Sequence, residues 1–317
     1  MAFQISPGVS TSEIDLTTVI PAASTTTGAF AGHFSWGPAN TAIAISDETQ
    51  LVQVFGEPDT GTAYSFFTCA NFLAYGNDLR VVRSINENIG SDFRNVNTYA
   101  ATSATSNTNN TYGICIKSSD DYYNNYYSSN SGYSASWVAR YPGSMGNTLK
   151  VSVWANANSA EFTTSNWEYA KYFSGVTGTS AYANNITANC NDEIHIVVVD
   201  ANGAFTGVKN SVLETYPFLS VASDAKDDQG NSIYYKEVLY RQSKYVYAID
   251  PANTATTLGS VKNRQWNQRV VEANTTNGFY QIGNTGNTVT LTLGFNGNTA
   301  SVSDSYLQNA LQKFSNP

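Results

Sequence analysis

The 317-residue chain carries 16 Lys and Arg against 24 Asp and Glu, a net charge of −8, and only 13% of its residues are charged. That balance argues against a nucleic-acid partner, whose binding draws on clustered Lys and Arg. A chain of this length exceeds one ordinary domain and is predicted to be multidomain, α+β and β-rich, with Asn, Ser, Thr and 21 Tyr supplying much of a weakly charged surface. Cys69, Cys115 and Cys190 are odd in number and far apart, so they give neither a disulfide framework nor a metal knuckle and fit a reducing compartment. Met1-Ala2-Phe3-Gln4 has no basic and apolar leader character, and no run approaches the roughly 18 apolar residues of a membrane span. No membrane insertion is predicted.

Residues 1–22 read as an arm. Pro7-Gly8 forbids a regular element, Ile14-Asp15-Leu16 alternates like a short strand, and Val19-Ile20 adds apolar surface before Pro21. Such a segment is either the first strand of its own domain or a strand lent to a neighbour, with Ile14, Leu16, Val19 and Ile20 as the contact residues. Residues 23–88 read as an α/β piece: a small-residue strand at 28–34, a turn at Trp36-Gly37-Pro38, and a strand at 42–45. A helix opened by the capping box Asp47-x-x-Gln50 and stopped by Gly56 follows, then a second helix at about 62–75. Gly76 is expected to end that helix with a positive φ, and 79–85 is expected to be a buried strand. Strand, strand, helix, helix, strand does not by itself close a sheet for two helices, so part of this domain is expected elsewhere in the chain.

Residues 89–136 shift to Ser, Thr, Asn and Tyr and are expected to form an exposed insertion with short strands such as 113–116. Tyr122, Tyr123, Tyr126 and Tyr127 cluster there, either as a surface contact for a glycan or protein or as rings packed on their own hairpin. Regular structure returns over 137–300. A Pro-Gly turn feeds an alternating strand near 149–153, and a nearly continuous apolar strand over 193–200 is expected to turn back at Asn202-Gly203 into 212–219. A further strand at 289–293 precedes the helix of 301–317, capped at Ser303-Asp304.

Chemistry finds little purchase. His195 sits in a strand with Cys190 five residues away, but no orienting group accompanies them at motif spacing, and His33 has still less around it. The run Ser223 to Ser232 offers oxygen ligands without the alternating spacing of a calcium loop. Phosphate-binding, serine-elbow and zinc-dyad motifs do not occur, so no catalytic residue, cofactor or metal is assigned and the chain is not expected to be an enzyme.

Three separated stretches, at 6–13, at 28–38 with 71–83, and at 141–151, resemble the N-terminal half of tail sheath proteins of contractile-tailed bacteriophages, in the family's own order. The run Asn71-Phe72-Leu73-Ala74-Tyr75-Gly76-Asn77-Asp78-Leu79-Arg80-Val81-Val82-Arg83 is the most specific, and the Tyr-rich insertion has no counterpart. The resemblance implies a split α/β core piece with inserted β-rich protrusion domains, the helix of 301–317 re-entering the core. It implies a structural subunit forming a homo-oligomer of hexameric rings in a helical sheath, around tail tube and above baseplate proteins, in the virion and assembled in the host cytoplasm. The rest of the core and the C-terminal extension of that family are not found, so a truncated form or a shortened relative is expected. The alternative from the residues alone is a glycan-binding adhesin or tail-surface decoration protein using the four tyrosines.

Overall fold

The computed structural model describes residues 27–85, 115–128, 137–249, 266–271, 278–279, 286–292, 294 and 304–315. The arm of 1–22, with Ile14, Leu16, Val19 and Ile20, lies outside the described residues.

The N-terminal piece is a three-stranded sheet of β1 (Gly28–Gly32), β2 (Ala42–Ile45) and β3 (Leu79–Arg83), ordered β1-β3-β2. β3 runs parallel to β1, with Gly28 opposite Leu79, and antiparallel to β2, with Ile45 opposite Leu79. Two helices, α1 (Glu48–Phe55) and α2 (Ala63–Leu73), fill the crossover between β2 and β3. α1 starts where the sequence places it: the Asp47 carboxylate accepts the Gln50 N–H at 2.8 Å, and the Gln50 side chain reaches back to the Ser46 N–H at 2.8 Å. Gly56, at φ 81, closes it. α2 ends differently from expectation. Gly76 does not adopt a positive φ; its N–H bonds to the Phe72 carbonyl at 2.9 Å, and an added Cβ would lie 3.0 Å from the Phe72 ring. Close approach, not handedness, is what the glycine provides.

Phe34, Ile45, Leu51, Phe55, Phe66, Cys69, Leu79 and Val81 form the core beneath the two helices. A third helix, α6 (Asp304–Gln312), comes from the far end of the chain to lie against β1 and β3, with Ala310 fully buried. The sheet is therefore contacted by helices more than two hundred residues apart in sequence. Arg83, fully buried, donates to the carbonyls of Phe34 and Gly37, both at 2.8 Å, and pins the turn that carries Trp36. Burial pulls its guanidinium down to about 9, still cationic at neutral pH.

The larger body is a four-stranded antiparallel sheet in the order β7-β6-β5-β9, from β5 (Leu149–Trp154), β6 (Glu193–Asp200), β7 (Ser211–Ser220) and β9 (Asn287–Thr290). β6 reads as a continuous apolar run because both its faces are covered. Ile194, Ile196 and Val198 face a large core with Leu149, Val151, Leu219 and Leu239, whereas Val197 and Val199 face an aromatic cluster of Trp154, Trp167 and Tyr169. A separate pair, β4 (Trp137–Ala139) with β8 (Val246–Ala248), runs antiparallel beside α5 (Tyr235–Gln242). A short helix, α4 (Ala181–Ile186), precedes β6.

Two local expectations need correcting. Asn202-Gly203 is not a two-residue hairpin, since β6 and β7 are joined by residues 201–210. That loop is organised on the buried Asp200 carboxylate, which outcompetes a tight turn by collecting six donors, as described below. The second correction concerns the Tyr-rich stretch. Ile116 is fully buried without belonging to a strand, and the run after it is a helix, α3 (Ser119–Asn125), capped by Ser118. The Ser118 hydroxyl accepts the Asp121 N–H, and Asp120 and Asp121 favour the first turn, so a segment of weak helix formers still nucleates. α3 is then held by rings from the C-terminal half of the larger body rather than by a hairpin of its own.

Candidate functional site

Among the described residues, one feature with the shape of a binding site is a cleft of about 690 Å³ where the N-terminal piece meets the larger body. Its walls come from the end of α1 (Val52, Gln53, Val54, Gly56, Glu57), the Arg140–Met145 turn, the 201–210 loop and the α5-to-β8 link. Trp36 is the pivot. It projects from the β1–β2 turn but packs in the large core of the other body, 4% exposed, with Trp137 and Ala139. Its ring meets Tyr141 edge-on at 5.5 Å and Phe205 at 5.0 Å, and Phe205 meets Tyr245 at 5.0 Å, giving a herringbone of four rings across the floor. Gly146 permits the fit, since a Cβ there would lie 2.7 Å from Ala139.

Two of the rings are positioned by hydrogen-bonded frames. The Asp200 Oδ1 accepts from Thr148 Oγ1 at 2.6 Å, Gly203 N at 2.9 Å and Ala204 N at 3.0 Å. Its Oδ2 accepts from Phe205 N at 2.8 Å, Thr206 N at 3.0 Å and Thr206 Oγ1 at 3.1 Å. Burial works to raise this carboxyl, but the six donors prevail and hold it below the usual aspartate range. Phe205 is thereby fixed against Trp36. On the other wall the Glu214 carboxylate accepts from Ser243 Oγ, Lys244 N and Tyr216 OH at 2.7–2.9 Å, which sets the α5-to-β8 link carrying Tyr245. Arg140 donates to the carbonyls of Tyr240 and Ser243 and lies 4.7 Å over the Tyr247 ring. The lining charges are Arg140, Arg241, Lys244 and Glu57, with Arg241 paired to Glu237 at 2.5 Å and the Glu214 carboxylate behind Ser243 and Lys244, so the mouth carries mixed charge.

The residues singled out for chemistry are used structurally. His195 Nε2 pairs with the Gly175 carbonyl at 2.9 Å, while Nδ1 accepts the Phe218 N–H at 3.0 Å, fixing a neutral Nε2–H tautomer. Phe218 has a φ of 49 beside Pro217, and the β6–β7 ladder is shifted between Ile194 and Ile196; the histidine takes the place of the missing ladder bond. The ring stacks on Phe173 at 4.2 Å, and burial pulls its pKa down to about 4. Cys190 packs in the large core across the sheet from that ring and donates weakly to Asp192, so the nominal Cys/His pair is not brought together. His33, near Arg83, is lowered by burial and by that charge. In the acidic run, the Asp227 carboxylate accepts the N–H groups of Gln229 and Asn231, and Asp224 accepts from Val270 N: these carboxylates tie turns.

Tyr122, Tyr123, Tyr126 and Tyr127 divide between inside and outside. Tyr122 is fully buried, stacked on Tyr247 at 4.0 Å and 5°, with its hydroxyl donating to the Ala248 carbonyl at 2.6 Å. Tyr126 donates to the Cys115 carbonyl and Tyr127 to Glu237, while Tyr123 is 53% exposed above Tyr127 and Tyr240. Tyr122 presents no face to a ligand. Sequence reading missed the cleft because its rings come from four separate segments; Trp36-Gly37-Pro38 and Tyr141-Pro142-Gly143 were visible only as turns.

Comparison with known proteins gives a likeness to phage tail sheath proteins. Residues 25–83 match the family described as Tail sheath protein Gp18 domain III N-terminal region. The chain is 48% identical over 79 residues to a tail sheath protein of Vibrio phage KVP40 and 44% identical over 81 residues to that of Enterobacteria phage T4. Residues 25–83 carry this chain's likeness to phage tail sheath proteins. A tail sheath protein of Salmonella phage ViI aligns over 260 residues, 82% of this chain, at 28% identity, carrying the likeness well beyond the N-terminal piece. The alignments cover 25%, 26% and 82% of this chain but only 12%, 12% and 35% of those relatives, so the chain spans about a third of their length at most. Tail sheath proteins are virion structural proteins, and the piece that bears Trp36 and Arg83 is the part this chain shares most closely with them.

Proposed function

We propose that this chain is part of the structural subunit of a contractile phage tail sheath, polymerising in stacked hexameric rings around the tail tube and repacking on contraction. The match of residues 25–83 to the tail sheath family, together with 48% and 44% identity over 79 and 81 residues to two tail sheath proteins, carries this reading. The geometry is consistent with it: His195, Asp200 and Tyr122 are held by internal bonds, and the cleft floor is aromatic. In this reading the arm of residues 1–22 links one copy to the next, through Ile14, Leu16, Val19 and Ile20, while tube and baseplate proteins bound the polymer. Assembly takes place in the host cytoplasm, where the free Cys69, Cys115 and Cys190 stay reduced.

Negative-stain electron microscopy tests it. The chain, joined to the remainder of its subunit where it is a piece of one, is expected to form rings or tubes, and removing residues 1–22 is expected to abolish them while leaving the far-ultraviolet circular dichroism unchanged. Normal polymers from the shortened chain would remove the arm's role, and a protein that stays monomeric at high concentration would remove the sheath reading itself.

A further inference from the structure

We propose that Asn202-Gly203 is a latent deamidation site, which the Asp200 carboxylate keeps closed in the folded chain. The inference is independent of the sheath reading and concerns the loop that seats Phe205 on Trp36.

An Asn-Gly pair can react with itself, because glycine has no side chain to hinder the approach of its own nitrogen to the asparagine side chain. The Gly203 nitrogen, having given its proton to hydroxide, attacks Cγ of Asn202; a C–N bond forms, the bond from Cγ to the amide nitrogen breaks, and ammonia leaves with a proton from water. Water then opens the cyclic imide at one carbonyl or the other, leaving aspartate or isoaspartate. Both reagents reach this pair, since Asn202 is exposed. The same dipeptide recurs at Asn277-Gly278 and Asn296-Gly297.

At 202–203 the fold removes each freedom that the attack needs. The Gly203 N–H donates to Asp200 Oδ1 at 2.9 Å, so the attacking nitrogen is turned toward that carboxylate. A fixed negative charge so close also opposes formation of the amide anion. On the upstream side the Asn202 N–H donates to Thr148 Oγ1 at 2.9 Å, and that hydroxyl donates to the same Asp200 oxygen at 2.6 Å. On the downstream side the Gly203 carbonyl accepts the Gly207 N–H at 2.8 Å, and a Cβ on Gly203 would stand 3.1 Å from backbone atoms of Gly207, Val208 and Lys209. The peptide joining Asn202 to Gly203 therefore turns toward its own side chain only when the network that holds Phe205 against Trp36 comes apart. Reaction waits for a local opening. The product keeps the loop open, since isoaspartate lengthens the backbone by a methylene and either acid adds a charge to a loop already organised around one carboxylate.

Peptide mapping by mass spectrometry, on the full chain aged in mildly alkaline buffer with and without denaturing urea, tests the proposal. Deamidation of Asn202 is expected to be about a hundredfold slower in the folded chain than in urea, the population of open loop setting the ratio. Asp200→Asn should raise the native-state rate at least about tenfold, and Thr148→Val, which leaves the carboxylate in place, should raise it by a smaller factor, each compared where circular dichroism shows the variant folded. Equal rates for Asn202 in the folded and unfolded chain would overturn the proposal. So would a folded Asp200→Asn that reacts no faster than wild type, or one that reacts more slowly, the result expected if the carboxylate served as a base and not as a guard. Where Asp200→Asn does not fold, the wild-type ratio and amide hydrogen exchange at Gly203 decide: exchange slowed by a similar factor supports the closed loop, and an unprotected Gly203 amide overturns it.

Discussion

Replacing Asp200 with Asn changes one atom of the carboxylate and removes half of what it does. Three donors converge on each oxygen at 2.6–3.1 Å. An amide offers one accepting oxygen and an NH₂ group that only donates, so in either orientation three donors meet a donor. Hydrogen bonds to a charged acceptor are worth about 1.5–3 kcal/mol each, which sets a ceiling well above 4 kcal/mol for three of them. Ala204 and Thr206 are exposed and regain water when released, so the expected loss is about 2–4 kcal/mol. The folded-state pKa of Asp200 is depressed, so its stabilisation is complete above the unfolded value of about 3.9 and is lost as pH falls through the folded value. Wild type and Asp200→Asn should therefore differ at neutral pH and converge in acid. Urea unfolding followed by tryptophan fluorescence measures this, and because Phe205 lies 5.0 Å from Trp36, the variant's native emission should shift as well. A difference below about 0.5 kcal/mol at neutral pH, or one that persists undiminished in acid, would refute the account of the loop.

Two further outcomes follow from buried rings. His195 is neutral in the fold with its pKa pulled down to about 4, against about 6.5 when unfolded, so the unfolded chain alone binds that proton as pH falls between those values. His195→Phe should abolish this contribution to the acid-side slope, about 3 kcal/mol in all, while lowering stability at mildly alkaline pH by about 2–4 kcal/mol through the unpartnered Phe218 N–H and Gly175 carbonyl; an unchanged slope in urea titrations would contradict the assignment. Tyr122→Phe should lose about 1 kcal/mol with the Ala248 bond, and Tyr122→Ala about 3–5 kcal/mol, with new proteolytic cleavage within α3; a surface tyrosine would show neither effect.

Sequence alone determined the elements whose logic is local. The Asp47–Gln50 box, the Gly56 stop, the strand at β3 and the doubly buried run of β6 all depend on groups within about four residues or on side-chain period, and both are written along the chain. The arm's acidic and apolar alternation is legible in the same way. Tertiary structure decided the rest. Gly76 reads as a helix cap until the Phe72 ring is seen against it, and Asp120-Asp121-Tyr122 reads as surface until Tyr247, more than a hundred residues later, stacks upon it. Asn202-Gly203 has the composition of a tight turn, yet a buried carboxylate with six donors outweighs that preference. The cleft joins residues from five segments, and α6 reaches β1 across the whole chain. Local hydrogen bonding and side-chain period belong to the sequence because their partners are neighbours along it; burial of distant rings and charges depends on which surfaces meet, and only the folded chain fixes that.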